Sequence, residues 1–169
     1  YHQRAIDTFE EVLPQYHPSL ATAYNNLGVV LWSMKEYSDA LLIHEKALSI
    51  RLRLLPAAHP AFAESYRNIS LALKGTGQYE TAISYNKKGI EVLRQTCTSH
   101  HPDLADFYNN LAGLYQQIGD YTKAFSCHTD ALEIYQKTLP PKHSKIATTY
   151  FNMGMGYYDL GKYSEALPL

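Results

Sequence analysis

His17, His59, His101 and His143 stand 42 residues apart, and the residues around them repeat with the same period. Proline follows the first three, as Pro18, Pro60 and Pro102, while Ser144 follows the fourth. Leu20, Phe62, Leu104 and Ile146 form an apolar column, and Ala21, Ala63, Ala105 and Ala147 a small one. Tyr24, Tyr66, Tyr108 and Tyr150 share a column, as do Asn26, Asn68, Asn110 and Asn152, and then Leu27, Ile69, Leu111 and Met153. Further along come Tyr37, Tyr79, Tyr121 and Tyr163, then Ala40, Ala82, Ala124 and Ala166. The first residues fit the later half of the unit, since Ala5 aligns with Ala47, Gly89 and Ala131, and Pro14 with Pro56 and Pro140. One such unit cannot bury its apolar face alone, so neighbouring copies must stack. The period predicts one solenoid with a partial repeat (1–15), three full repeats (16–57, 58–99, 100–141) and a repeat cut short (142–169). The chain does not begin with Met, and it reads as an excerpt whose last apolar residues, Leu167 and Leu169, are poorly covered.

Each unit predicts two helices. Helix A opens at His-Pro, because proline suits a first helical position whose N–H would go unbonded anyway. It closes near Gly77, Gly119 and Gly161, where glycine takes a left-handed cap without a Cβ penalty. Lys35 holds the corresponding place in the first copy, which predicts a strained or differently shaped turn. Helix B is predicted from about Ser38 to Leu55, on the order of 27 Å long, and Pro56 and Pro140 end it in two copies, with Thr98 in the middle one. Pro168 falls early in the last B helix, where its missing N–H matters little. Gly28, Ser70, Ala112 and Gly154, with the alanines at 40, 82, 124 and 166, let helices approach closely. The fold class is therefore all-α, a right-handed α-solenoid of stacked antiparallel helix pairs.

Composition removes several function classes. The net charge is −1 with both signs interspersed, so no basic patch points to nucleic acid or an anionic membrane surface. No apolar run approaches the roughly 18 residues of a spanning helix. Two cysteines with no framework suit a reducing, cytoplasmic compartment.

The spacing Tyr24-x2-Leu27-Gly28-x2-Leu31, followed by Ala40 and Ala47, resembles the tetratricopeptide repeat, although the unit is longer than the usual length of about 34 residues. The 42-residue period, the opening "HPSLATAYNNLG" and the break "GQYETA" resemble the kinesin light chain subtype. The resemblance implies a superhelical array whose concave wall, lined by A helices, binds extended peptides, which in the kinesin family belong to cargo adaptors. It equally allows a structural or regulatory array joined to a catalytic or signalling domain elsewhere in a longer protein.

At about 100° per residue, Tyr24, Gly28 and Leu31 share the face of Leu27 and form the buried stripe. Thr22, Asn25, Asn26 and Val29 fall on the other side, which the resemblance makes the concave wall. Repetition then gives parallel columns. Asn26, Asn68, Asn110 and Asn152 form one; Asn25, Arg67, Asn109 and Phe151 a second; Val29, Leu71, Gly113 and Met155 a third; Trp32, Lys74, Gln116 and Tyr158 a fourth. An asparagine amide both donates and accepts, so a ladder of them suits the unpaired backbone of an extended peptide. By resemblance, the matching helix-A asparagine in related domains contacts peptide backbone. Arg67 and Lys74 would then meet an acidic residue, and Trp32, Phe151 and Tyr158 an apolar one. The same column equally suits a bond to the adjacent repeat that fixes the stacking angle, and the two roles are compatible.

Chemistry-bearing clusters are missing from the pattern. The four repeat-start histidines would lie about 10 Å apart, too far to share a metal, so they are expected to cap or pack. "CTSHHP" (97–102) looks like a zinc cluster until the register places Cys97 with Leu13, Leu55 and Leu139; Cys127 stands with Ile43 and Tyr85. His44 and His128 share a helix-B column with Asn86 and are expected at a surface or interhelix position. "KGTGQ" (74–78) is an interhelix turn without phosphate-loop spacing. No catalytic residue, metal or cofactor is expected. Partners are expected to be proteins or peptides in extended form, not nucleic acid or membrane, with association through exposed repeat ends a further possibility.

Overall fold

The computed structural model describes residues 4, 8, 11, 12 and 14–167. Ala5, Leu13, Pro168 and Leu169, which carried part of the register and the last-helix expectation, lie outside the described residues. Among the described residues the regular elements are α1 (Pro18–Ser33), α2 (Tyr37–Leu54), α3 (Ala61–Gly75), α4 (Tyr79–Thr96), α5 (Pro102–Gln117), α6 (Tyr121–Thr138), α7 (Ser144–Asp159) and α8 (Tyr163–Ala166), with no strand. Odd-numbered helices are A helices and even-numbered ones B helices. Helix B of the first full repeat starts and ends one residue earlier than its sequence suggests.

The recurring His-Pro has a local cause. The imidazole Nδ1 of each repeat-start histidine accepts from the backbone N–H two residues on: Ser19 at 3.2 Å, Ala61 at 3.1 Å, Asp103 at 3.3 Å and Lys145 at 3.2 Å. Histidine thus does what serine or aspartate does at most helix starts, and the following proline needs no acceptor. At the other end Gly77, Gly119 and Gly161 have φ of 78°, 78° and 71°. Of the two outcomes expected at Lys35, strain is found and a different shape is not. It takes the same left-handed conformation, at φ 65°. The same bond pair closes it, with Lys35 N–H to Trp32 O at 3.0 Å and Glu36 N–H to Leu31 O at 3.0 Å. A backbone pattern shared by all copies outweighs the Cβ penalty, which is about 1–2 kcal/mol.

The chain divides into two compact units, Tyr1–Thr96 and Cys97–Leu169. In the first unit α1 packs on α2, α3 on α4, and α2 and α1 both touch α3. Leu20, Ala21, Tyr24, Leu27, Ala47 and Ile50 form its first core cluster, flanked by Tyr16, Ala23, Leu31 and Ile43. In the second unit α5 packs on α6, α6 and α5 touch α7, and α7 holds α8. Leu104, Phe107, Leu111, Leu114, Leu132 and Tyr135 are buried there, each large side chain contributing about 1.5–3 kcal/mol by leaving water. The alanines at 40, 82 and 124 are fully buried, whereas Ala166 is half-buried and Leu167 exposed.

The small column in helix A brings A and B helices together. Ser70 donates to the Ala82 carbonyl at 2.9 Å. A Cβ at Gly28 would lie 2.5 Å from His44 Cε1 and 2.7 Å from both ring nitrogens, so the N–C–N edge of that imidazole is pressed against the glycine. His44, Asn86 and His128 are not a surface column; their exposures are 2%, 1% and 0%. Of the two positions expected for them, the interhelix one is found.

Candidate functional site: a cleft between consecutive A helices

In the first unit the flank of α1 meets the flank of α3 above α2. The gap between them is a cleft of about 360 Å³ lined by Val29 and Trp32 from α1, His44 from α2, and Glu64, Arg67, Asn68 and Leu71 from α3. Five of these seven are residues that the helical wheel assigned to the concave wall. Trp32 is 40% and Val29 47% exposed, and the Trp32 ring is held edge-on to Tyr37 at 6.3 Å.

Asn25 departs from the wheel reading. It was placed on the open wall with Asn26, yet it is only 6% exposed. Helical periodicity describes one covered face, whereas an A helix inside an array is also covered on its flank by the next A helix. Asn25 Nδ2 donates to Glu64 Oε1 at 3.2 Å, and Asn68 Nδ2 donates to Asn25 Oδ1 at 3.0 Å. Arg51 Nη2 holds Glu64 Oε2 at 3.0 Å, while its Nη1 donates to Ser65 Oγ at 2.6 Å and Ala61 O at 3.0 Å. Bonds to the adjacent repeat are therefore present at Asn25 and Asn68.

These bonds decide the electrostatics of the cleft. Both Glu64 oxygens are occupied, one by a cation. Among the described residues Arg67 has no ion-pair partner, and α1 carries no charged residue. The open charge of the cleft is positive. Burial pushes the His44 imidazole down to about 4, with Glu64 opposing the shift and Arg51 adding to it; the cleft floor is neutral at pH 7.

The remaining predicted residues are not gathered into this cleft. Asn26 and Lys74 are exposed on α1 and α3. In the second unit Asn109 and Asn110 are half-buried, and Asn109 Oδ1 is buried without a hydrogen bond. Gln116 is not left open to a ligand; its Nε2 donates to the Asn152 carbonyl at 2.9 Å, and it lies where a Cβ at Gly156 would sit, 2.7 Å from that nitrogen. Phe151, Met155 and Tyr158 line an apolar cleft of about 350 Å³ with Gly154, Tyr163, Ala166 and Leu167. Sequence reasoning missed Glu64 and His44. Glu64 stands one turn before Asn68 on the same helix, a spacing that puts a carboxylate on the flank carrying that amide.

Among the described residues no group of three or more His, Cys, Asp or Glu is placed to hold a metal ion. Cys127 is buried and Cys97 half-buried, as the register implies. No helix of the described residues is long and apolar enough to cross a membrane.

Helix pairs capped alike, stacked flank to flank and leaving a groove between A helices define a helical-repeat scaffold. The chain belongs to the tetratricopeptide repeat family, whose model matches residues 1–53, 19–95 and 103–169. Among solved structures it is similar to BtubC (BKLC) from P. vanneervenii, with 23% identity, TM-score 0.85, and coverage of 99% of this chain and 66% of that one. It is also similar to a Podosopora anserina protein described as a kinesin light chain with nearly identical TPR-like repeats, at 21% identity and TM-score 0.83, covering 99% and 79%. A Rap protein complexed with competence and sporulation factor matches at 18% identity and TM-score 0.78, covering 99% and 44%. The chain thus spans about two thirds of the first of these and less than half of the last, and at these identities the likeness carries the fold. No curated protein sequence matches the chain.

Proposed function

We propose that the chain is a non-catalytic peptide-binding scaffold whose first unit takes an extended segment in the cleft between α1 and α3. The observation that carries this reading is Arg67: a half-buried cation without an ion-pair partner among the described residues, in a mainly apolar cleft beside an exposed tryptophan. An apolar ligand side chain seats against Val29, Trp32 and Leu71, an acidic neighbour pairs with Arg67, and Asn68 meets ligand backbone. Lys74, one turn beyond Leu71, extends the positive character along α3. The Rap structure, solved with a bound factor, supports a partner-binding use of this fold. Such recognition by groove and a few anchors gives affinities of micromolar order.

Selection of peptides from a random display library on the wild-type chain tests this. Enriched sequences are expected to pair an apolar residue with an acidic one. Arg67→Glu is expected to weaken them at least about ten-fold, the scale of a lost charge-assisted bond, with an unchanged melting temperature. A library that enriches nothing, or winners indifferent to Arg67, sinks the proposal.

A further inference from the structure

We infer that Glu64 sets the hydrogen-bonding polarity of the cleft: acting through Asn25, it turns the Asn68 amide so that the carbonyl oxygen is left for the ligand. A guanidinium only donates and an ionised carboxylate only accepts. Arg51 donates to Glu64 Oε2 at 3.0 Å, so the pair fixes one end of the chain of bonds. Glu64 Oε1 then requires a donor from Asn25, which is Nδ2 at 3.2 Å. That choice leaves Asn25 Oδ1 toward α3, where it takes the Asn68 Nδ2 proton at 3.0 Å. An asparagine amide is free to flip unless its neighbours forbid it. Here a carboxylate two bonds away forbids it. Asn68 Oδ1 has no protein partner among the described residues and Asn68 lines the cleft. The ligand atom met there is a donor, such as a backbone N–H.

The second unit supplies an internal control. Asn109 and Asn152 occupy the places of Asn25 and Asn68, but Thr148 stands where Glu64 stands. The bond chain is missing: Asn109 Oδ1 is buried with no partner, and Asn152 is engaged through its backbone carbonyl by Gln116. Tyr135 also stands where Arg51 stands, so paired asparagines without the acid and its cation do not set the polarity.

Glu64→Gln is the informative variant. Arg51 still needs an acceptor, so it takes the new side chain's oxygen. The amide nitrogen then faces Asn25, which must flip to accept. Asn68 follows, and its NH2 turns to the cleft. The orientation itself is read without any ligand, from hydrogen exchange of the side-chain NH2 groups by NMR. In the wild type the Asn68 NH2 is expected to exchange about five-fold slower than that of exposed Asn26, as one net hydrogen bond of about 1 kcal/mol requires; in Glu64→Gln the two become equal. Glu64→Thr, copying the fourth repeat, removes the relay without inverting it and is expected to give the same loss, with melting curves checking that each variant folds. Equal rates for Asn68 and Asn26 in the wild type, or slow exchange kept in Glu64→Gln, overturns the inference. The ligand arm rests on the peptide-groove reading. Replacing one backbone amide at a time by an ester in a library-selected peptide is expected to reveal one N–H whose loss weakens wild-type binding about five-fold and leaves Glu64→Gln unaffected. No such position, with exchange as expected, removes the ligand contact at Asn68 and overturns that part of the inference while keeping the relay; a library that enriches nothing removes the peptide reading itself.

Discussion

Single residues decide how closely the helices of one repeat approach. Gly28 is present because the His44 ring occupies the space a Cβ would need. Gly28→Ala is expected to lower stability by about 1–3 kcal/mol, the range for overpacking a filled core, seen as a lower urea midpoint with unchanged slope. The histidine caps make a second prediction at this scale. His101→Ala removes the acceptor for the Asp103 N–H and is expected to cost about 1 kcal/mol, recorded by the same titration. The small columns, the caps and the left-handed glycines were legible in the sequence because each satisfies a rule of local geometry that the chain repeats. The burial of Asn25 was not, because it depends on a helix 39 residues further on, which no periodicity within α1 contains.

Elements join through turns that keep one backbone shape whatever the residue. Lys35 is held at φ 65° by the bonds that hold glycine elsewhere. Lys35→Gly is expected to stabilise the first repeat by about 1 kcal/mol, and hydrogen exchange at the ends of α1 and α2 should slow with it. At this scale helix B of the first full repeat was read to within a residue at each end, and the A helices end two residues before the glycines at 77, 119 and 161, since proline and glycine punctuate most of the copies. What the sequence left open was the use of the A-helix flanks. Asn26, Asn25 and Trp32 all project away from Leu27 on a helical wheel, yet one is exposed, one buried and one lines a cleft. Three-dimensional neighbours, not angles on one helix, separate them.

Among the described residues each unit carries one fully buried imidazole, His44 in the first and His128 in the second. Burial holds both down, to about 4 from an ordinary 6.5. The unfolded chain therefore takes up these protons first. The contribution to stability is whole above pH 6.5 and is lost as the pH falls toward 4, by ~3 kcal/mol per site at the lower limit. Melting temperatures measured between pH 7.5 and 4 are expected to drop through this window. His44→Asn, the residue the middle repeat already uses at Asn86, should remove about half of the drop; a drop left whole in the variant would show that His44 is not confined as described, and a flat profile in the parent that neither ring is.

The bonds from Asn25 to Glu64 and Asn68 cross from one repeat to the next. Repeat arrays are commonly treated as interchangeable modules, shuffled or duplicated to build new binders. For this chain the hydrogen-bonded unit does not coincide with the 42-residue period. A graft taking residues 16–57 alone would carry an asparagine with its orientation erased, and a swap importing threonine at position 64 would leave its amide adrift. The transferable part runs from Asn25 through the whole of α2, which carries Arg51, to Asn68, so recombination boundaries belong outside the α1–α3 stretch and not in the B helix it contains.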